Sequence, residues 1–205
     1  MSILGLLALH SFVCTVIGGG SGGGAPKAEP GRNSGPESIF ETPLGRNQSV
    51  YLVGFSAELN KSDDMRMMRC VFSDYKYTYG NWVQRVLLSE YRNTYWGEKE
   101  AGPLPIYVWM TILDESPGVL TLNVTERLNV TTAAKSSYEI KHSDNESIVL
   151  AERGSSQNGL PLCSLWVTNY TLKEIPSQTN KTFHEQCLNP QYLGFSDDCA
   201  KLLEE

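Results

Sequence analysis

From about residue 47 onward, short runs of β-branched and aromatic residues alternate with clusters of Gly, Pro, Asn and Asp, the texture of strands joined by turns. Eight runs stand out: residues 49–58 (SVYLVGFSAE), 69–79 (RCVFSDYKYTY), 82–91 (WVQRVLLSEY), 106–113 (IYVWMTIL), 118–130 (GVLTLNVTERLNV), 136–142 (SSYEIKH), 147–153 (SIVLAER) and 162–170 (LCSLWVTNY). Their mostly short connections predict an up-and-down antiparallel barrel or a sandwich. Two helical segments follow. In residues 177–189 (SQTNKTFHEQCLN), Phe183 and Cys187 share a face at i and i+4, and residues 196–205 (SDDCAKLLEE) open with a Ser-Asp-Asp cap.

The chain begins differently. MSILGLLALHSFVCTVI is apolar, free of acidic residues and shorter than a membrane span, as the core of a secretory leader is. Residues 18–38 contain eight glycines and almost no large apolar side chain, so burial there cannot offset the entropy of ordering. A phosphate-cradling loop is excluded, because the flanking strand and helix and the Lys-Ser/Thr pair are missing. The expected organisation is a signal peptide over residues 1–18, a flexible Gly-rich segment over 19–39 and a barrel domain over 40–205.

Seven N-x-Ser/Thr sequons, at Asn47, Asn60, Asn123, Asn129, Asn145, Asn169 and Asn180, predict a glycosylated, secreted protein. They also phase the strands, since a sugar-bearing Asn faces solvent and strand side chains alternate. In 118–130, Asn123 and Asn129 turn Val119 and Thr121 outward and Leu120, Leu122, Val124, Glu126, Leu128 and Val130 inward. With Asn145 outward, Ile148, Leu150 and Glu152 face the interior. With Asn169 outward, Cys163, Leu165 and Val167 look out toward a packed helix, and Ser164, Trp166 and Thr168 look in. Two acids and a tryptophan are thus expected inside. On other strands Tyr107 and Trp109 share one face, and Tyr75, Tyr77 and Tyr79 share another. Such aromatics line a ligand cage as readily as they fill a core. The candidate ligand-binding set is Trp166, Glu126, Glu152, Ser164, Trp109 and Tyr107.

Charge and cysteines narrow the chemistry. With 17 basic against 23 acidic residues the net charge is −6, and no basic run exists to follow a phosphate backbone, so nucleic acid is excluded as a partner. Outside the leader stand Cys70, Cys163, Cys187 and Cys199, an even set that reads as two disulfides in any of three pairings. Spacings of 93, 24 and 12 residues do not suit zinc. With no G-x-S-x-G elbow, no His cluster and no phosphate loop, neither an enzyme nor a cofactor is expected. No second apolar segment reaches span length, which argues against a membrane partner.

The order CSLWV, then EIPSQTNKTFHEQC, then NPQYLGFSDDC, over about the last third of the chain, resembles the salivary lipocalins of ticks, the family that includes histamine-binding proteins. The resemblance implies an eight-stranded barrel around a ligand cavity with a C-terminal helix packed outside, and the pairs Cys70–Cys199 and Cys163–Cys187. It also implies a secreted, monomeric protein that sequesters a small host mediator. The mediator would be an amine such as histamine or serotonin, with Glu126 or Glu152 as counter-ion, or a leukotriene-type lipid. The alternative is a lipocalin scaffold that binds a host protein, a complement or clotting component, through its outer surface or loops. Amine-holding members typically carry Glu between that Cys and Leu, where this chain has Ser164, and the family's Cys-Asp pair on the preceding strand is missing.

Overall fold

The computed structural model describes residues 35–60, 70–88, 90–92, 101–103, 105–113, 118–125, 135–156, 158–193 and 199. Its strands are β1 Val50–Ser56, β2 Phe72–Tyr79, β3 Trp82–Leu88, β4 Glu90–Arg92, β5 Ala101–Pro103, β6 Ile106–Ile112, β7 Val119–Thr125, β8 Ser137–Ser143, β9 Ser147–Glu152, β10 Cys163–Thr168 and β11 Pro190–Tyr192. Eight of them run antiparallel in the order β1-β2-β3-β6-β7-β8-β9-β10, and β10 pairs back onto β1. Closure removes both sheet edges and decides for the barrel over the sandwich. Each of the eight expected runs overlaps one of the barrel strands, although residues 126–130 of the fifth run lie outside the described residues. Strand β4 overlaps the end of the third run, whereas β5 and β11 lie outside all eight. Among the described residues β1 meets the β2 side through Val50↔Ser73, Tyr51↔Phe72 and the Leu52 N–H bond to the Val71 carbonyl, and Gly54–Ser56 pair with Pro190–Tyr192 of β11.

Alternation sorts the side chains into two clusters. The interior one contains Val50, Val83, Val108, Met110, Ile112, Leu120, Leu122, Ile140, Ile148 and Leu150, with Trp166 and Tyr138 packed against it. The outer one joins Tyr51, Val53, Phe72, Val149, Ala151, Leu165 and Val167 to Phe183 and the Cys163–Cys187 disulfide. The sugar-derived phases of β7, β9 and β10 agree with this division. On β2 a bulge between Tyr75 and Tyr77 breaks the alternation. Tyr75 therefore packs on the interior cluster while Tyr77 and Tyr79 are exposed, so these three tyrosines do not share a face.

Helix α1, Ser177–Gln186, is polar, has no side-chain N-cap bond and is too short to persist alone. It stands on the barrel through fully buried Phe183, whose ring occupies the place a side chain at Gly54 would take: a Cβ there would lie 2.9 Å from the ring. The second disulfide is Cys70–Cys199. Apart from Cys199, the expected helix over 196–205 lies outside the described residues, as do the leader and most of the Gly-rich segment. No helix among the described residues is long and apolar enough to cross a membrane.

One barrel end is closed by two 3-10 turns, Ile39–Glu41 and Pro43–Gly45, which insert Ile39 and Leu44 into the interior cluster. Arg85, between Val83 and Leu87 on the inward parity of β3, is 0 % exposed and pins them. Its Nε donates to Ser73 Oγ (2.9 Å), Nη1 to the carbonyls of Leu44 (2.9 Å) and Arg46 (3.2 Å), and Nη2 to those of Gln48 (2.6 Å) and Ser73 (2.7 Å). All five N–H groups are used. Burial lowers its pKa to about 10 against the raising influence of Asp74, which leaves the guanidinium charged at neutral pH.

Candidate ligand-binding site

Strand β10 carries Ser164 and Trp166 to the inner wall, two residues apart and on one face. Trp166 lies between Leu52 of β1 and Ile148 of β9; Ser164 lies between Phe55 and Leu150. The indole Nε1 donates to Ser164 Oγ at 2.9 Å. That bond satisfies the buried end of the tryptophan and sets its ring against the wall. At the position where the resemblance implies a carboxylate for an amine, this chain has a hydroxyl that accepts a hydrogen bond from the indole.

Toward the end opposite the 3-10 closure, Tyr138 and Glu152 are cross-strand partners on the inner side of β8 and β9. Glu152 is 9 % exposed, and burial raises its pKa, with Lys135 pulling the other way. The Tyr138 phenol is also raised by burial; the Lys135 backbone N–H, 2.9 Å from the hydroxyl, opposes this and Glu152 adds to it. A carboxyl in this setting holds its proton to higher pH than an exposed one. The described wall therefore offers large apolar surface, one indole and, at one end, a carboxyl beside a phenol.

Glu126 lies outside the described residues. Tyr107 and Trp109 alternate with Val108 and Met110, which belong to the interior cluster, so they occupy the outer face of β6. Trp109 meets the exposed Tyr77 edge-on there, centroids 5.3 Å apart. No sequon lies on β6 to phase it, and two faces with aromatics on one and aliphatics on the other look alike in sequence. Sequence reasoning passed over Phe55, Tyr138 and Arg85. The first two sit on correctly read strands, and the signal for Arg85 was a lone cation at an inward position between valine and leucine. Asn47, Asn123, Asn145 and Asn169 are exposed and Asn180 is half-buried, accepting a hydrogen bond from the Tyr192 hydroxyl; Asn129 and the side chain of Asn60 are outside the described residues.

Residues 45–201 match the family model described as tick histamine binding protein. Japanin from Rhipicephalus appendiculatus is 28% identical over 158 residues, 77% of this chain and 83% of Japanin. Japanin-like-RS from Rhipicephalus sanguineus is 25% identical over 157 residues, covering 77% and 83% of the two chains. The fold is similar to that of Japanin from Rhipicephalus appendiculatus bound to cholesterol, with a TM-score of 0.64 at 25% identity over 77% of this chain and 98% of that one.

Proposed function

The chain belongs to the tick histamine binding protein family, and from that premise we propose that it is a secreted salivary lipocalin that captures a small, mostly apolar host mediator inside its barrel. The observation that carries the reading is the inner wall itself. Leu52, Phe55, Ile148, Leu150 and Trp166 are apolar, and Ser164 replaces the acid an ammonium would need. A buried ammonium without an ionised partner costs several kcal/mol. Burial raises the Glu152 pKa, and its carboxyl, paired across the strands with Tyr138, offers a hydrogen-bond partner to a hydroxyl of the ligand. Arg85 has no donor left for a lipid carboxylate, which favours a neutral ligand or one whose acid stays near Lys135. Cholesterol, held by the related Japanin, is such a molecule: mostly apolar with one hydroxyl.

The apolar leader, the seven sequons and the two disulfides support passage through an oxidising, glycosylating compartment. Capture needs stoichiometric binding and no turnover. A second reading, a biogenic amine, is favoured by one observation: Glu152 is buried on the inward parity of β9, where its carboxylate would pair with an ammonium and an entering cation would oppose the upward pull of burial on its pKa.

Calorimetry with histamine, serotonin, a leukotriene and cholesterol, with tryptophan fluorescence in parallel, tests both. Saturable binding of an apolar ligand is expected, weakened roughly tenfold in Trp166→Leu, the scale of one lost aromatic contact. Amine binding that disappears in Glu152→Gln would replace the first reading by the second. No binding of any of the four would move the function to the outer surface and a host protein.

A further inference from the structure

We propose that the N-linked sugar of Asn123 is seated on an aromatic shelf of the outer sheet, its first N-acetylglucosamine stacked on the ring of Trp109. The inference rests on the secretory reading above and goes beyond it, because it concerns a surface that the ligand does not touch.

Four residues form one row across four strands: Tyr77 pairs with Gln84, Gln84 with Trp109, and Trp109 with Asn123. Tyr77 reaches over Gln84 to meet Trp109 edge-on at 5.3 Å and 87°. One step along the same strands, Tyr79 pairs with Trp82. Tyr77 is 50% and Tyr79 76% exposed, and Trp82, Tyr107 and Trp109 are half-buried, although helix α1 and β11 cover the apolar outer face elsewhere on the barrel. A contiguous aromatic surface on a secreted barrel calls for an occupant.

The occupant is indicated by register. Both essential positions of the sequon Asn123-Val124-Thr125 stand directly opposite ring-bearing residues of β6, Asn123 opposite Trp109 and Thr125 opposite Tyr107. Directly opposed Cβ atoms lie about 4.5–5.5 Å apart. A sugar on the exposed Asn123 amide therefore emerges beside the indole face. Its C–H-bearing side meets the electron-rich ring, and its hydroxyls remain in water. The outward-facing aromatics of β2, β3 and β6 thus read as a bed for the chain's own glycan rather than as a docking face for another protein.

The test uses full-length protein secreted from glycosylating cells, with sequon occupancy read by peptide mass mapping. Melting temperatures are compared for wild type, Asn123→Gln, Trp109→Thr and the double variant. The expected result is an occupied Asn123, a loss of roughly 2–4 °C on removing its sugar, and no further loss when Trp109 is already Thr; Trp109→Phe keeps part of the effect. After trimming to single N-acetylglucosamines, one acetyl methyl resonance should be shifted upfield by the ring current in wild type and unshifted in Trp109→Thr. An occupied Asn123 whose removal has the same effect in both backgrounds overturns the proposal. So does an unmodified Asn123 beside occupied sequons, with Trp109→Thr dissociating a dimer or abolishing host-protein binding. A protein with no sugar anywhere overturns the secretory reading as well, while the ligand titrations above are scored separately.

Discussion

Arg85 shows how much one side chain can hold. Its five donors tie the carbonyls of Leu44, Arg46 and Gln48 to β2, so removing it orphans several buried acceptors at once. Arg85→Met is expected to cost roughly 3 kcal/mol or more in urea denaturation. Arg85→Lys should recover only part of that, because an ammonium cannot reproduce the planar fork. Glu152 behaves oppositely. Its folded pKa is raised by burial, so the native state binds the extra proton, and ionisation as pH rises through that pKa costs stability. Ligand-free Glu152→Gln should melt no lower than wild type at neutral pH, and any gain should vanish as pH falls below the ordinary carboxyl range. A variant that melts well below wild type at pH 7 would mean the ionised carboxylate is stabilised in a way the Tyr138 pair does not explain.

At the scale of elements, α1 depends on its attachments. The Cys163–Cys187 bond closes a 24-residue separation between β10 and the helix end. Replacing both cysteines with alanine should lower stability by about 3 kcal/mol on chain-entropy grounds, with proteolysis appearing first around α1. Gly54→Ala should cost about 1–3 kcal/mol, because its methyl would displace the Phe183 ring. A polar clamp holds the other side. Asp144 accepts from the backbone N–H groups of Glu146 (2.8 Å) and Ser147 (2.7 Å), from Ser147 Oγ (2.9 Å) and from Thr179 Oγ1 of the helix (3.2 Å). Burial alone would raise the Asp144 pKa, and the bonds from Glu146, Ser147 and His142 outweigh it and leave it lowered. Its contribution is therefore present above the unfolded pKa and lost as pH falls through the folded one. Asp144→Asn should flatten the acid limb of a melting-temperature profile that wild type shows. The clamp was not legible in sequence, since Thr179 lies 35 residues from Asp144 and nothing local links them.

For the molecule as a whole, the barrel places its least ordinary chemistry along one inner wall and closes the far end with the chain's own N-terminal turns. A ligand that binds only the folded barrel stabilises it by mass action, so a saturating ligand at about a hundred times its Kd should add roughly 2.7 kcal/mol. The melting temperature should then rise in step with the fluorescence titration. The same barrel separates two aromatic sets that sequence reasoning had put into one cage: Trp166 inside, Tyr107 and Trp109 outside.

The sequence by itself determined the eight barrel strands, the inward parity of β7, β9 and β10 and the dependence on disulfides. These follow from a period-two pattern and from sequons whose asparagines must meet water, and both are local properties. Only the tertiary structure decided that β10 closes onto β1, that a bulge turns Tyr75 away from Tyr77, that Arg85 spends every donor on the closed end and that Glu152 faces Tyr138. It also joins Cys70 to Cys199 and Cys163 to Cys187, a choice that composition left among three. In each case the deciding energy belongs to a pair of groups far apart in the chain. Burial, a satisfied donor or a closed ladder exists only when both partners are in place, and no residue's own identity encodes its partner.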